Sequence, residues 1–196
     1  MIFVEGSEEP TWRFQCWYDA TAQRDVYEHG VGNKDEICVI SKVGPEGAPC
    51  GVMNDAVAGK VLVWPRDPNT GAVTGCCEFV MGGKRTDTYF TRPDWLQESQ
   101  AKYTGQHVVH GVEADVWFVQ ASYDNHYAVR TDQPGQVPLS FWEHMGGSTP
   151  YKEWYFENFV VHEQKIEPPA QCVNVPLCPG QPNFKVKTHS YVTFGV

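Results

Sequence analysis

Hydrophobic and polar residues alternate along much of this chain with the two-residue period of β-strands. The clearest case is residues 12–18, where Trp12, Phe14, Cys16 and Tyr18 alternate with Arg13, Gln15 and Trp17. Turn residues follow at 19–22, and residues 23–29 form a more polar return segment. This pattern predicts an antiparallel hairpin.

Shorter segments of the same kind recur along the chain, separated by loops rich in glycine and proline such as residues 43–51 and 65–75. None of them alternates with a long helical pattern, which disfavours a parallel βαβ sheet. The pattern predicts further strands at residues 36–42, 60–65, 76–81, 108–121, 126–131, 137–144, 155–161 and 185–194.

Two segments depart from the strand pattern. Residues 92–103 have Pro93 and Asp94 near their start and continue with good helix formers. At residues 149–154, Ser148 or Thr149 could cap a helix, and Pro150 suits its first position. We therefore predict one or two short helices in a mainly β protein with a curved antiparallel sheet. No domain boundary is visible, so residues 1–196 are expected to form a single β-rich domain, with a Pro- and Cys-rich extension at 166–196.

Composition narrows the function classes. The chain has 196 residues, 15 Lys and Arg against 24 Asp and Glu, and a formal net charge of −9. That charge repels phosphate backbones and anionic lipid headgroups, so we expect no nucleic-acid partner. No apolar run approaches the length of a membrane span. The 7 Trp, 9 Tyr and 10 Phe favour strands over helices.

Seven cysteines are more typical of a secreted or lumenal protein than of a cytosolic one, although the sequence as given carries no signal peptide. They allow at most three disulfides. The short loops 38–50 and 172–178 are the readiest to close, which would pair Cys38 with Cys50 and Cys172 with Cys178, and the remaining bridge would use Cys76 or Cys77. Cys16 lies mid-strand and is expected to act as a small buried hydrophobe rather than a nucleophile.

Catalytic and metal-binding signals are weak. His107 and His110 are three apart on a predicted strand and would face opposite sides of the sheet. The cysteine spacings also fall short of the two close ligand pairs of a structural zinc site. Glu113 and Asp115 would share one strand face, but surface carboxylates are common in an acidic protein. We therefore expect no metal, no cofactor and no enzymatic activity.

The aromatic excess is the most informative feature. If the strands form one sheet, alternating residues of several strands face the same way and supply more apolar surface than one short helix covers. Such a sheet must enclose either a packed core or a ligand cavity, and the sequence leaves both open. The predicted lining residues are Trp12, Phe14, Tyr18, Val63, Trp117, Val119, Tyr127, Val129, Leu139 and Phe141.

Three stretches resemble one family. Residues 14–20, FQCWYDA, continue into an arginine and a tyrosine at 24 and 27; residues 111–117 read GVEADVW; and residues 137–147 with 155–159 read VPLSFWEHMGG and YFENF. In this order they resemble the non-catalytic N-terminal domain that precedes the papain-like domain in some secreted and lysosomal cysteine proteases, and more loosely ependymin-related proteins. The resemblance covers residues 10–165.

The resemblance implies a LolA/ependymin-like fold, in which an open half-barrel of antiparallel strands wraps around one or two helices over an apolar cavity. Ala114 stands where the family often has a cysteine, so the family's disulfides cannot be copied onto this chain. No papain-type catalytic site fits after residue 165.

Together these observations predict a secreted or lumenal binding module that holds an apolar or amphipathic small ligand, such as a lipid, in the concave face of a curved sheet. The alternative is a non-catalytic interaction or structural subunit of a larger extracellular or lumenal assembly, in which the apolar face is a solid core and protein partners dock on loops and edges.

Overall fold

The computed structural model describes residues 2–5, 12–80, 92–120, 124–144, 152–160 and 165–180. The protein is mainly β and its strands pair antiparallel, as the sequence predicted. The strands are β1 (Ile2–Glu5), β2 (Trp12–Asp19), β3 (Arg24–His29), β4 (Cys50–Asp55), β5 (Lys60–Pro65), β6 (Cys77–Phe79), β7 (Lys102–Val109), β8 (Val112–Gln120), β9 (Asp124–Arg130), β10 (Pro138–His144) and β11 (Lys152–Tyr155). The helices are α1 (Glu36–Ser41), α2 (Trp95–Glu98) and a short 3-10 helix, Ala170–Cys172.

The chain packs as two compact units. One consists of Trp12–Thr91 and Gln164–Phe194 and contains β2 to β6; the other consists of Met1–Thr11, Arg92–Glu163 and Gly195–Val196 and contains β7 to β11 with β1. They are called here the β2–β6 unit and the β7–β11 unit.

The β2–β6 unit is an antiparallel meander in which each strand pairs with the next. Register places Tyr27, Val52 and Val63 in one row, and α1 packs on this face over β4 and β5. The opposite face carries Met53, Leu62 and Trp64 and is packed by the carboxyl-terminal segment around Cys172. Because both faces are covered, β4 is buried at all six positions.

Helix α1 lies where the sequence predicted a strand at residues 36–42, so that prediction is wrong. The side chain of Asp35 caps the helix by accepting a hydrogen bond of 2.9 Å from the backbone N–H of Cys38. Lys42 ends it in the left-handed conformation at φ 53°. The apolar residues Ile37 and Cys38 both pack on the sheet, which a helix allows and the alternation of a strand does not.

Three disulfides lie within the β2–β6 unit: Cys38–Cys50, Cys76–Cys172 and Cys77–Cys178. The predicted Cys38–Cys50 bridge is confirmed, whereas the predicted Cys172–Cys178 bridge is wrong. The carboxyl-terminal segment runs along β6, where Leu177 pairs in parallel with Glu78. Cys172 packs on one face of this unit and Cys178 on the other, so the adjacent Cys76 and Cys77 each bridge to a different one.

In the β7–β11 unit the strand order is β1-β11-β10-β9-β8-β7. The sheet is not closed into a barrel, since in the described part of the chain β7 pairs only with β8. Helix α2 places the buried Trp95 against one face, where its ring lies 5.3 Å from that of Tyr127.

Several helices and strands have boundaries that differ from the predicted ones. The helix predicted at 92–103 is limited to Trp95–Glu98, because the chain from Lys102 joins the sheet as β7. The strand predicted at 108–121 is interrupted by a turn at His110 and Gly111, both with positive φ. Residues 152–154 of the second predicted helix instead form β11 together with Tyr155, the first residue of the strand predicted at 155–161. Strand β4 was not predicted, and the predicted loop at 43–51 covers only its first two residues. The strand predicted at 185–194 lies outside the described residues.

Among the described residues, no helix is both long and apolar enough to cross a membrane.

Candidate functional site

A row of aromatic side chains crosses the β7–β11 unit. The register between strands places Trp117, Tyr127, Phe141 and Trp154 directly opposite one another on β8, β9, β10 and β11. Since directly paired residues of antiparallel strands point to the same side, these four share one face, which we call the aromatic face. On β7, Tyr103 pairs with Trp117 and extends the row to the edge of the sheet.

The inner part of the aromatic face is a packed core. Phe141 is 0% exposed and Tyr127 3% exposed. The Trp95 ring of α2 lies 6.3 Å from Phe141, and Phe141 lies 5.5 Å from Trp154, with rings inclined as in favourable aromatic pairs. These side chains fill the space between α2 and the sheet.

The outer part of the aromatic face is open. Tyr103 is 56% exposed, and its ring lies 5.5 Å from the half-buried ring of Trp117 at an angle of 52°. The face therefore grades from a sealed core at β9 and β10 to an accessible tyrosine and tryptophan at β7 and β8. Exposed aromatic rings beside a polar surface can bind apolar or cationic groups.

The polar groups beside these rings carry negative charge. The Tyr103 hydroxyl donates a hydrogen bond of 2.7 Å to Oδ1 of Asp115, and this bond raises the pKa of Tyr103. Glu113 lies on the same strand face as Asp115, as the sequence indicated, and it is exposed. A ligand on this surface would meet two aromatic rings and at least one carboxylate.

The structure divides the ten predicted lining residues between the two units. Trp117, Val119, Tyr127, Val129 and Phe141 share the aromatic face by register. Leu139 does not: a bulge between Pro138 and Ser140 interrupts the alternation, and Leu139 packs with Ala114, Val116 and Ala128 in a cluster on the other face.

The other four predicted residues belong to the β2–β6 unit. Phe14 is buried, with its ring 5.0 Å from that of His29, and Val63 is buried in the core under α1. Tyr18 is half-buried and pairs with Asp25. Trp12 begins β2, and its side chain lies outside the described part. That these residues line a ligand cavity remains a prediction.

A cluster of buried polar side chains lies on the face of the β2–β6 unit that also carries Phe14, Tyr18 and Val63. Asp25 is 0% exposed, and burial raises the pKa of its carboxyl to about 8 although a hydrogen bond from Asn54 opposes the shift. Burial and then the Asp25 charge raise the pKa of the nearby Cys16 thiol and of Tyr27. A thiol with a raised pKa is a poor nucleophile, in agreement with the expected structural role of Cys16.

A serine, a glutamate and a histidine meet on the other face of the β7–β11 unit. The Ser140 hydroxyl donates a hydrogen bond to Oε1 of Glu153, which also lies 2.6 Å from Nε2 of His110. In a nucleophilic triad the serine bonds to the imidazole, which then takes its proton. Here the carboxylate stands between them and Ser140 is fully buried, so the trio is a structural network.

One group of described side chains brings metal-ligating atom types together: His29, Asp35 and Cys38, whose ligand atoms lie within 4.8 Å of one another. In this structure the Cys38 sulfur is bonded to Cys50. Burial lowers the pKa of His29, and Asp35 opposes this shift. Sequence spacing does not indicate this group, because its members lie on β3, at the cap of α1 and in α1, which was predicted as a strand. The two histidines considered as a metal pair in the sequence have separate partners. His107 contacts the Thr104 carbonyl, and His110 contacts Glu153.

In comparisons with known proteins, no family model and no curated protein matches this chain.

Proposed function

We propose that this protein is a non-catalytic binding module that holds an amphipathic small molecule on the open end of the aromatic face. The observation that supports this proposal is the exposed ring of Tyr103, packed against Trp117 at the edge of an otherwise sealed aromatic core. The inner residues hold the two rings in place, and the outer rings supply the apolar contact.

The charge of the surface selects the polar end of the ligand. Asp115 accepts the Tyr103 hydrogen bond and Glu113 lies beyond it, so an anionic head group would meet like charge. A hydroxyl or ammonium group would instead donate to Asp115, and an ammonium would also gain from the faces of the two rings. The proposed ligand is therefore an amphiphile with a neutral hydroxyl or cationic end.

Contact with both rings gives a useful but modest affinity. Covering about 200 Å² of apolar surface contributes about 5 kcal/mol before the costs of association. Because a dissociation constant of 1 mM already corresponds to about 4 kcal/mol, the proposal expects reversible binding in the millimolar range.

The three disulfides in the β2–β6 unit support placing this module outside the reducing cytosol, as a secreted or lumenal protein. The LolA/ependymin-like resemblance remains part of the same proposal, because those domains curve an antiparallel sheet over an apolar site.

A fluorescent long-chain amine tests the proposed site. We expect saturable binding that a long-chain alcohol displaces well and a fatty acid of equal length displaces poorly. Trp117→Ala should weaken binding by about tenfold or more, since it removes one of two ring contacts. Trp17→Ala is the matched control, because Trp17 is a 37% exposed strand tryptophan of the β2–β6 unit. Equal weakening by both variants, or equal displacement by all three competitors, would contradict the proposal.

A second candidate function rests on strand β7. The carboxyl-terminal segment covers the β6 edge of its sheet, whereas β7 exposes Val108 and, in the described residues, pairs on one side only. An exposed edge can accept a strand from a partner protein. In this alternative the protein is an interaction subunit, and a proline in place of Gln106 would abolish partner binding.

A further inference from the structure

Two potential metal ligands, His29 and Asp35, lie beside the Cys38–Cys50 disulfide. His29 and Cys50 are direct partners across β3 and β4, so their side chains point to the same side. Asp35, the cap of α1, uses Oδ1 to accept from the Cys38 N–H and leaves Oδ2 at 3.6 Å from Nε2 of His29. One nitrogen and one oxygen thus lie near the Cys38 sulfur, which is bonded to the sulfur of Cys50.

The imidazole of His29 is poorly satisfied in this setting. Its side chain is 4% exposed, and Nδ1 has no hydrogen-bond partner within the described residues. Nε2 and the Asp35 oxygen are farther apart than an ordinary hydrogen bond. A buried imidazole with one unsatisfied nitrogen and one long contact costs free energy, and coordination of a cation would recover part of it.

We propose that opening the Cys38–Cys50 disulfide converts this cluster into a zinc site formed by His29, Asp35, Cys38 and Cys50. In the disulfide the two sulfurs are bonded to each other and are not thiolates. A dithiol reductant would transfer two electrons: the S–S bond breaks, two thiols form and the reductant becomes a disulfide. Zinc then replaces the two thiol protons, which are released, and is bound by two thiolates, the neutral imidazole and the carboxylate.

The ligand set favours zinc over harder cations. Zinc takes four ligands of the cysteine, histidine and carboxylate types in tetrahedral geometry, whereas magnesium and calcium prefer oxygen ligands alone. The ligand atoms of His29, Asp35 and Cys38 are within 4.8 Å of one another, so small side-chain movements would bring them to one ion. Two thiolates and one carboxylate neutralise the divalent cation and leave the site with one net negative charge.

An opening gives access to the disulfide. A cavity of about 170 Å³ lies between α1 and the loop before β4, and Cys38 and Cys50 both line it. Cys77–Cys178 is elsewhere in the same core, and neither of its cysteines lines this cavity. A small dithiol and then a cation can therefore approach the Cys38–Cys50 bridge from the cavity.

The experiment uses the full chain and Co²⁺ as a spectroscopic probe for zinc. The protein is treated with increasing dithiol, the opened bridges are identified by alkylation and peptide mass spectrometry, and Co²⁺ is added at each stage. We expect one equivalent of Co²⁺ with a sulfur-to-cobalt charge-transfer band when Cys38–Cys50 opens, and no such band in the oxidised protein.

Variants assign the ligands. The double variant Cys38→Ser/Cys50→Ser should lose the band, whereas Cys77→Ser/Cys178→Ser should keep it. His29→Asn and Asp35→Asn should each weaken Co²⁺ binding by about tenfold or more. Asn also caps helices well, so Asp35→Asn tests the ligand role without loss of α1 even if His29→Asn does not fold. The proposal is overturned if the reduced protein binds no Co²⁺, if Cys38→Ser/Cys50→Ser binds it equally, or if Asp35→Asn binds as tightly as the wild type.

Discussion

The side-chain amide of Asn54 donates a hydrogen bond of 2.6 Å to Oδ1 of Asp25, and both residues are almost completely shielded from solvent. Oδ2 of Asp25 has no hydrogen-bond partner in the described part of the chain. A carboxylate in this position would be poorly compensated, which is why the neutral acid is favoured and its pKa rises to about 8.

Asp25 makes stability depend on pH. An unfolded aspartate has a pKa of about 4, so between about pH 4 and pH 8 the folded protein holds a proton that the unfolded chain has released. The contribution of Asp25 to the free energy of unfolding therefore falls as the pH rises through this range and is constant above it. The neighbouring Cys16 and Tyr27 stay neutral there because their pKa values are raised.

We expect Asp25→Asn to remove this dependence. The asparagine resembles the neutral acid at every pH, so the variant should gain at least about 1 kcal/mol relative to wild type between pH 5 and pH 8.5 in urea unfolding. Asp67→Asn is the control: Asp67 is an exposed loop residue whose pKa is lowered by hydrogen bonds from Thr70 and Asn69, so it titrates below this range. A parallel pH profile for wild type and Asp25→Asn would show that Asp25 is ionised in the folded protein.

Gly51 provides a packing prediction. It pairs with Trp64 across β4 and β5, and a Cβ atom at position 51 would overlap the indole ring. Trp64 is 1% exposed and has no room to retreat, so Gly51→Ala should destabilise the protein by about 3 kcal/mol. Gly30→Ala, where a Cβ meets nothing within 4 Å, should change stability by less than about 0.5 kcal/mol. Similar melting temperatures for the two variants would be inconsistent with this packing.

The adjacent disulfides Cys76–Cys172 and Cys77–Cys178 should be strongly non-additive. Each closes a long loop, of 96 and 101 residues, but when one is present the other closes only a short ring of about eight residues. Replacing either pair with serine should cost about 2 to 3 kcal/mol, whereas replacing both should cost more than twice as much, because the long loop is then released. Urea unfolding of the three variants measures this, and strictly additive losses would refute the shared-loop explanation.

The sequence predicts the β class and the β2–β3 hairpin because period-two alternation is strong where one face of a strand is buried. It fails at β4, whose six residues are all buried and therefore do not alternate, and at α1, which is too short to show a helical period. It also fails for Cys172 and Cys178, since only the path of the carboxyl-terminal segment along β6 decides their partners.

Part of the aromatic face was also predicted from period-two alternation. Trp117, Val119, Tyr127 and Phe141 keep their alternation, but the bulge that turns Leu139 away leaves no mark in the hydrophobic pattern. Tyr103, the exposed member, was predicted to lie in a helix, because the residues before it are good helix formers. Pairing with β8 outweighs that local preference.

The most direct test of the proposed function is the indole N–H resonance of Trp117 in a two-dimensional NMR titration with a long-chain amine, assigned with Trp117→Phe. The amine should shift this resonance saturably, while the resonances of the buried Trp64 and of Trp17 in the β2–β6 unit remain in place. Tyr103→Ala should reduce the apparent affinity, because the second ring is lost. If the Trp117 resonance does not move, or if Trp17 moves with the same concentration dependence, the open end of the aromatic face is not the binding site.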